Sequence, residues 1–144
     1  MRIVSLDIGT KRIGVASTGP MGDFPEPRCV INRKGGVGDL EKVFAVISEL
    51  DPGLIVIGLP LGAEGEEGPA AFKIKRFTER LKTFLCERGT HIPIEFYDER
   101  YSTSIATERL VGFDVPRKRR REVIDKMAAL VILEGYLESV VLKK

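Results

Sequence analysis

The sequence has no tryptophan, one histidine and two cysteines among its 144 residues, and these scarcities exclude several chemistries. With His91 alone, no histidine-based zinc site can be assembled, and His91 reads as a loop residue rather than a catalytic base. Cys29 and Cys86 both sit in apolar neighbourhoods and give neither a disulfide framework nor a Cys/His zinc spacing. They read as two buried thiols in a reducing cytosol. No run approaches the ~20 apolar residues that cross a bilayer. The opening MRIVSLDIG has no signal-peptide anatomy. A cytoplasmic protein without a membrane partner is the expectation. A surplus of one charge is also missing: 23 Lys and Arg against 21 Asp and Glu leave +2. Net charge alone therefore does not declare a nucleic-acid binder.

What is present is ordinary globular material, 43% hydrophobic and 31% charged. The length suits one domain spanning residues 1–144 with a real core. Residues 2–7 and 13–17 read as strands joined by the turn Gly9-Thr10-Lys11-Arg12, a hairpin. RCVIN (28–32) reads as a third strand after a Gly/Pro-rich loop. DLEKVFAVISEL (39–50) places Leu40, Val43, Phe44, Ile47 and Leu50 on one helical face, with Asp39 as its N-cap. LIVIG (54–58) is a continuous apolar run, the mark of a strand covered on both sides. A helix from Pro69 to the stop at Gly89 turns Phe77, Leu81, Phe84 and Leu85 inward. PIEFY (93–97), a short helix near 103–111 and a final helix over 122–142 complete the order β-β-β-α-β-α-β-α-α. That order predicts an α/β fold: a five-stranded mixed sheet, three antiparallel strands then two parallel, with helices on both faces.

Aspartate Asp7 near the end of the first apolar strand is the informative anomaly. A bare carboxylate in an apolar setting costs several kcal/mol or more without a partner. Ligands of such sheets collect beyond the carboxyl ends of the parallel strands. Asp98 and Glu99 follow the fifth strand at that edge. Asp125, on the last helix, shares its face with Ala128 and Ala129, two small residues that let a helix approach the sheet. Singly, each acid has an ordinary explanation: Asp7 capping its turn, Asp98 or Glu99 pairing with Arg100, Asp125 pairing with Lys126 or the 117–121 run. Together, converging carboxylates make a site for hard divalent cations. Two Mg²⁺ ions in such a site activate water and stabilise the leaving oxygen of a phosphodiester.

DIGTKRIGVA (7–16), IGLPLGAEGEEGPAA (57–71), YDERYST (97–103) and VIDKMAALVIL (123–133) resemble, in order and along nearly the whole chain, the YqgF family, also called RuvX. The resemblance implies a ribonuclease-H-like fold related to the RuvC Holliday junction resolvase. It implies a hydrolase that matures the 5′ end of pre-16S ribosomal RNA, or alternatively a Holliday junction resolvase, using Mg²⁺ or Mn²⁺ as two ions. Carried over by residue, Asp7 and Asp125 become metal ligands. The middle acid falls in the Asp98-Glu99 block, with Glu99 favoured because the related resolvase has a glutamate at the end of the corresponding strand. Asp98 is in reserve, since strand neighbours point to opposite faces and at most one binds metal. Gly19 departs from the family, where an acidic residue often follows the second strand.

Five consecutive cations, Arg117, Lys118, Arg119, Arg120 and Arg121, read as a polar loop one helical turn before Asp125 that meets phosphates through salt-dependent counterion release. Lys11, Arg12 and Arg100 flank the acids and would orient a phosphate. A structured RNA precursor or branched DNA is the expected partner, recognised by shape and backbone. The protein is expected as a monomer or weak homodimer. Two rivals stand beside this reading. Asp-x-Gly-Thr before a hairpin also resembles the phosphate loop of sugar kinases and actin, but that fold needs a second lobe for which 144 residues leave no room. A non-catalytic nucleic-acid-binding adaptor would keep its function without Asp7.

Overall fold

The computed structural model describes residues 1–98 and 117–142. Strand β1 (Ile3–Ile8) turns into β2 (Arg12–Ser17), and β3 (Glu26–Asn32) follows the Gly/Pro loop. Helix α1 (Val37–Leu50) leads to β4 (Leu54–Leu59), and α2 (Pro69–Glu87) to β5 (Ile94–Asp98). Helix α3 (Arg117–Leu142) ends the described chain. The strands form one sheet in the order β3-β2-β1-β4-β5. β1, β2 and β3 pair antiparallel, whereas β1–β4 and β4–β5 are parallel. This is the mixed sheet that the order of elements implies. The short helix expected near 103–111 lies outside the described residues.

Strand alternation divides the core in two. Val4, Leu6 and Ile8 of β1, with Ile55, Ile57 and Leu59 of β4, pack under α1 and α2. Their alternates Ile3, Leu54 and Val56 pack against Ala129, Ile132 and Leu133 of α3. Every residue of β4 is therefore buried, which explains its unbroken apolar run. On α2 the inward residues include Phe77, Leu81, Phe84 and Leu85, as the helical period implies.

Small residues and polar contacts bring α3 onto the sheet. Ser5 Oγ, fully buried on β1, donates to the Ala129 carbonyl at 2.7 Å. Tyr136 Oη donates to Glu95 Oε2 on β5 at 2.5 Å. Its phenol is pushed up to about 12 by burial first and then by Glu95. At Gly14 of β2, a Cβ would collide with the backbone carbonyl of Asp125. At Gly135, a Cβ would collide with Tyr97 Oη. Gly14→Ala is expected to push α3 off β2 and destabilise the protein by about 1–3 kcal/mol, the usual cost of overpacking. A thermal or urea melt against wild type measures it.

Three local expectations are corrected. Asp39 is not the N-cap of α1. That position falls on Gly36, at φ 68°, and no side chain caps the helix. Asp39 instead folds back to accept the Lys34 amide at 2.9 Å and Arg33 Nε at 2.9 Å. Burial pushes its carboxyl up, but those hydrogen bonds and the Arg33 charge outweigh burial and hold it below the usual value. The run 117–121 is not a loop, because its backbone forms the first turn and a half of α3. Cys86 is exposed and Cys29 only half-buried, so neither is a core thiol.

Candidate active site

β1 carries Asp7 to the centre of the sheet's C-terminal edge, opposite Gly14 of β2. Asp7 has the parity of Ile3 and Ser5, both of which face α3. The α3 residue brought to this place is Asp125, one turn before Ala129, with a side chain 23% exposed. The absent Cβ at Gly14 is what admits the helix there. Arg12, the first residue of β2, shares the face of Gly14, and its Nε donates to Asp125 Oδ2 as an ion pair.

The two carboxylates are in unlike surroundings. Asp125 is compensated by Arg12. The Asp7 carboxylate receives no hydrogen bond from any described residue. Its pKa is pushed from 3.8 up to about 6, by burial first and then by the negative charge of Asp125. A largely buried carboxylate without a donor, beside a second carboxylate, is a place where a cation would relieve both burial and repulsion. The donor set is all oxygen, which suits a hard divalent ion rather than a thiophilic one. The residues present therefore fit such an ion. Two carboxylates are gathered, and among the described residues no group of three or more His, Cys, Asp or Glu side chains forms.

The other expected residues fall as follows. Asp98 ends β5 in register with Leu59, whose side chain lies under α1 and α2, so it has the opposite parity to Asp7. Glu99 and Arg100 lie outside the described residues. Lys11 is exposed in the turn between β1 and β2. Arg117 to Arg121 open α3, one to two turns before Asp125. The Arg12–Asp125 pair is the contact that sequence reasoning missed: Arg12 was expected to meet phosphate rather than an acid. Its partners are 113 residues apart, and no local pattern links them.

The sequence model of the family described as RuvX, Holliday junction resolvase, matches residues 1–139. The chain belongs to that family. Relatives named "Putative pre-16S rRNA nuclease" cover nearly all of it. The Syntrophomonas wolfei protein is 41% identical over 139 residues, 96% of this chain and 95% of that protein. The Clostridioides difficile protein is 42% identical over 137 residues, 95% of this chain and 94% of that one. Solved structures share the ribonuclease-H-like fold at much lower identity. Thermus thermophilus RuvC in complex with Holliday junction substrate aligns at 13% identity over 96% of each chain, TM-score 0.54. The fowlpox virus resolvase with Holliday junction DNA aligns at 12% over 97% and 99%, TM-score 0.59. In this RuvX-family member the acid pair thus sits on a nuclease fold, at the edge where such sheets bind ligands. Among the described residues no helix is long and apolar enough to cross a membrane.

Proposed function

We propose that the chain is a Mg²⁺- or Mn²⁺-dependent endonuclease that hydrolyses phosphodiester bonds in the cytoplasm, acting in 5′-end maturation of pre-16S rRNA. The observation that carries this reading is the Asp7–Asp125 pair at the sheet edge, with Asp7 lacking any donor among the described residues. The relatives' name supplies the substrate. A bound pair of divalent ions would supply Lewis acidity toward the scissile phosphate and its attacking water.

The chain's own residues do the rest. Asp7 and Asp125 provide the anionic oxygens, and Arg12 fixes the rotamer of Asp125. Lys11, exposed in the adjoining turn, is available to a phosphate oxygen. Glu95 and Tyr97 engage α3, whereas Asp98 has the opposite parity, which disfavours Asp98 and leaves Glu99, the acid the family resemblance favours, as the third ligand. Glu99→Gln is therefore expected to abolish cleavage and Asp98→Asn to retain it, as read by initial rates. A monomer suffices, since one active site makes one cut.

The test runs a pre-16S leader RNA and a synthetic four-way DNA junction side by side with Mg²⁺ or Mn²⁺, using wild type and Asp7→Asn. The expected result is metal-dependent cleavage of the RNA, lost in the variant. Junction cleavage with the RNA intact would transfer the same chemistry to recombination. Binding without cleavage of either would sink the nuclease reading in favour of an adaptor.

A further inference from the structure

A second opening lies at the same sheet edge, on the side of α1 and α2 rather than α3. It is a cavity of about 600 Å³ at the tip of β1, walled by Ile8, Pro60 and Pro69, with Thr10, Arg33 and Lys73 at its polar side. The acid pair does not use it. Ile8 lines it while its neighbour Asp7 turns to the other face, so the β1 tip alone separates the two sites, within about 7 Å along the chain.

Its polar side is arranged for an anion. Arg33 is held in place from three directions: Nε donates to Asp39 Oδ2 at 2.9 Å, Nη1 donates to the Gly9 carbonyl at 2.7 Å, and its guanidinium lies 4.9 Å from the centre of the Phe77 ring. Other lysines of α2 are paired, Lys75 with Glu67 and Lys82 with Glu79. Lys73, exposed at the cavity, has no ion-pair partner among the described residues. The first turn of α2 also faces this space through Pro69 and Ala70. It carries no capping side chain and no acid, so its amide end is uncompensated. The remaining wall, with Ile8, Pro60 and Pro69, is apolar, which inorganic phosphate would not use but a nucleobase or sugar would. A phosphate beside an apolar, planar group is the chemistry of a nucleotide.

We infer that this cavity holds one nucleotide unit of the bound strand, next to the scissile phosphate. Its phosphate sits at Lys73 and the start of α2, and its base or sugar lies against Pro60, Pro69 and Ile8. The inference rests on the nucleic-acid reading above and deepens it: a strand gripped on both sides of the β1 tip is fixed relative to Asp7 without its sequence being read.

The test measures binding alone, by fluorescence anisotropy of a labelled pre-16S leader fragment on cleavage-dead Asp7→Asn protein. Two changes are added separately: Lys73→Glu removes the cation, and Ala70→Trp fills the cavity from an exposed position without changing charge. Lys82→Glu, at the far end of α2, makes the same charge change outside the cavity. The expected result is roughly tenfold weaker binding for each of the first two, about one charge-assisted contact, and within about twofold for the control. Unchanged affinity in both cavity variants would overturn the inference. So would an equal loss from Lys82→Glu, which would mean diffuse charge. Nucleoside 5′-monophosphate is titrated in parallel, read by thermal shift. Stabilisation that Ala70→Trp abolishes, with RNA affinity unaltered, would make this a free-nucleotide site and overturn the strand assignment. Failure of the nuclease reading is separable: a protein that cleaves nothing yet loses RNA in Ala70→Trp sinks that reading and keeps this one.

Discussion

Replacing Asp7 with asparagine is expected to stabilise the metal-free protein while removing its activity. The folded protein holds this carboxyl at about 6 against an ordinary 3.8, by burial and then by Asp125. A carboxyl raised on folding favours the folded state fully below its unfolded pKa, and that advantage is lost as pH rises through the folded value. Above about pH 6 the ionised Asp7 therefore costs up to about 3 kcal/mol. Asp7→Asn removes that cost, so its melting temperature without metal should exceed wild type by several degrees at pH 7.5. The difference should shrink as pH falls from 6 toward 4. Cleavage should fall by roughly 100-fold or more, since even residues supporting a metal ligand are worth 10–100-fold. Paired thermal melts in EDTA at pH 7.5 and pH 4.5, with cleavage rates in Mg²⁺, check all three. A merely structural Asp7 would lower the melting temperature when replaced.

The second large effect concerns the five cations that open α3. A helix N-terminus carries partial positive charge, and α3 begins with Arg117 to Arg121 and no acid in its first turn. Replacing all five with glutamine should therefore leave the fold as stable or slightly more so. It should also make nucleic-acid binding far less sensitive to salt. Each phosphate neutralised contributes about 0.7–0.9 to the slope of log affinity against log salt, so the slope should flatten by about 4 if all five engage. Anisotropy titrations from 50 to 200 mM salt measure it. An unchanged slope would place the nucleic-acid path elsewhere on the protein.

The acids and the sheet were legible in the sequence for a common reason. Polar residues inside apolar runs mark where a strand end or helix face meets something other than core. Asp7 in IVSLDI and Asp125 beside Ala128-Ala129 both carry that mark, and the structure brings them together at one edge. Contacts across the sheet left no such trace. Arg12 reads as a free cation in a turn until α3 sets Asp125 against it. Gly14 reads as one more small strand residue until a helix backbone lies over it. Local energetics misled in two places. Asp39 is a good capping residue, but here three residues of loop before it take its carboxylate instead. Five like charges at a helix start oppose the dipole and read as loop, although arginine and lysine propagate helix well.

The measurement that bears most directly on the acid pair is a calorimetric Mn²⁺ titration of wild type, Asp7→Asn and Arg12→Gln at pH 7.5 and pH 5. If Asp7 and Asp125 hold a catalytic cation, wild type binds at pH 7.5 and weakens at pH 5 as Asp7 takes up its proton. Asp7→Asn then binds at neither pH, and Arg12→Gln, which frees Asp125, still binds. Equal affinity for wild type and Asp7→Asn at pH 7.5 would contradict the account.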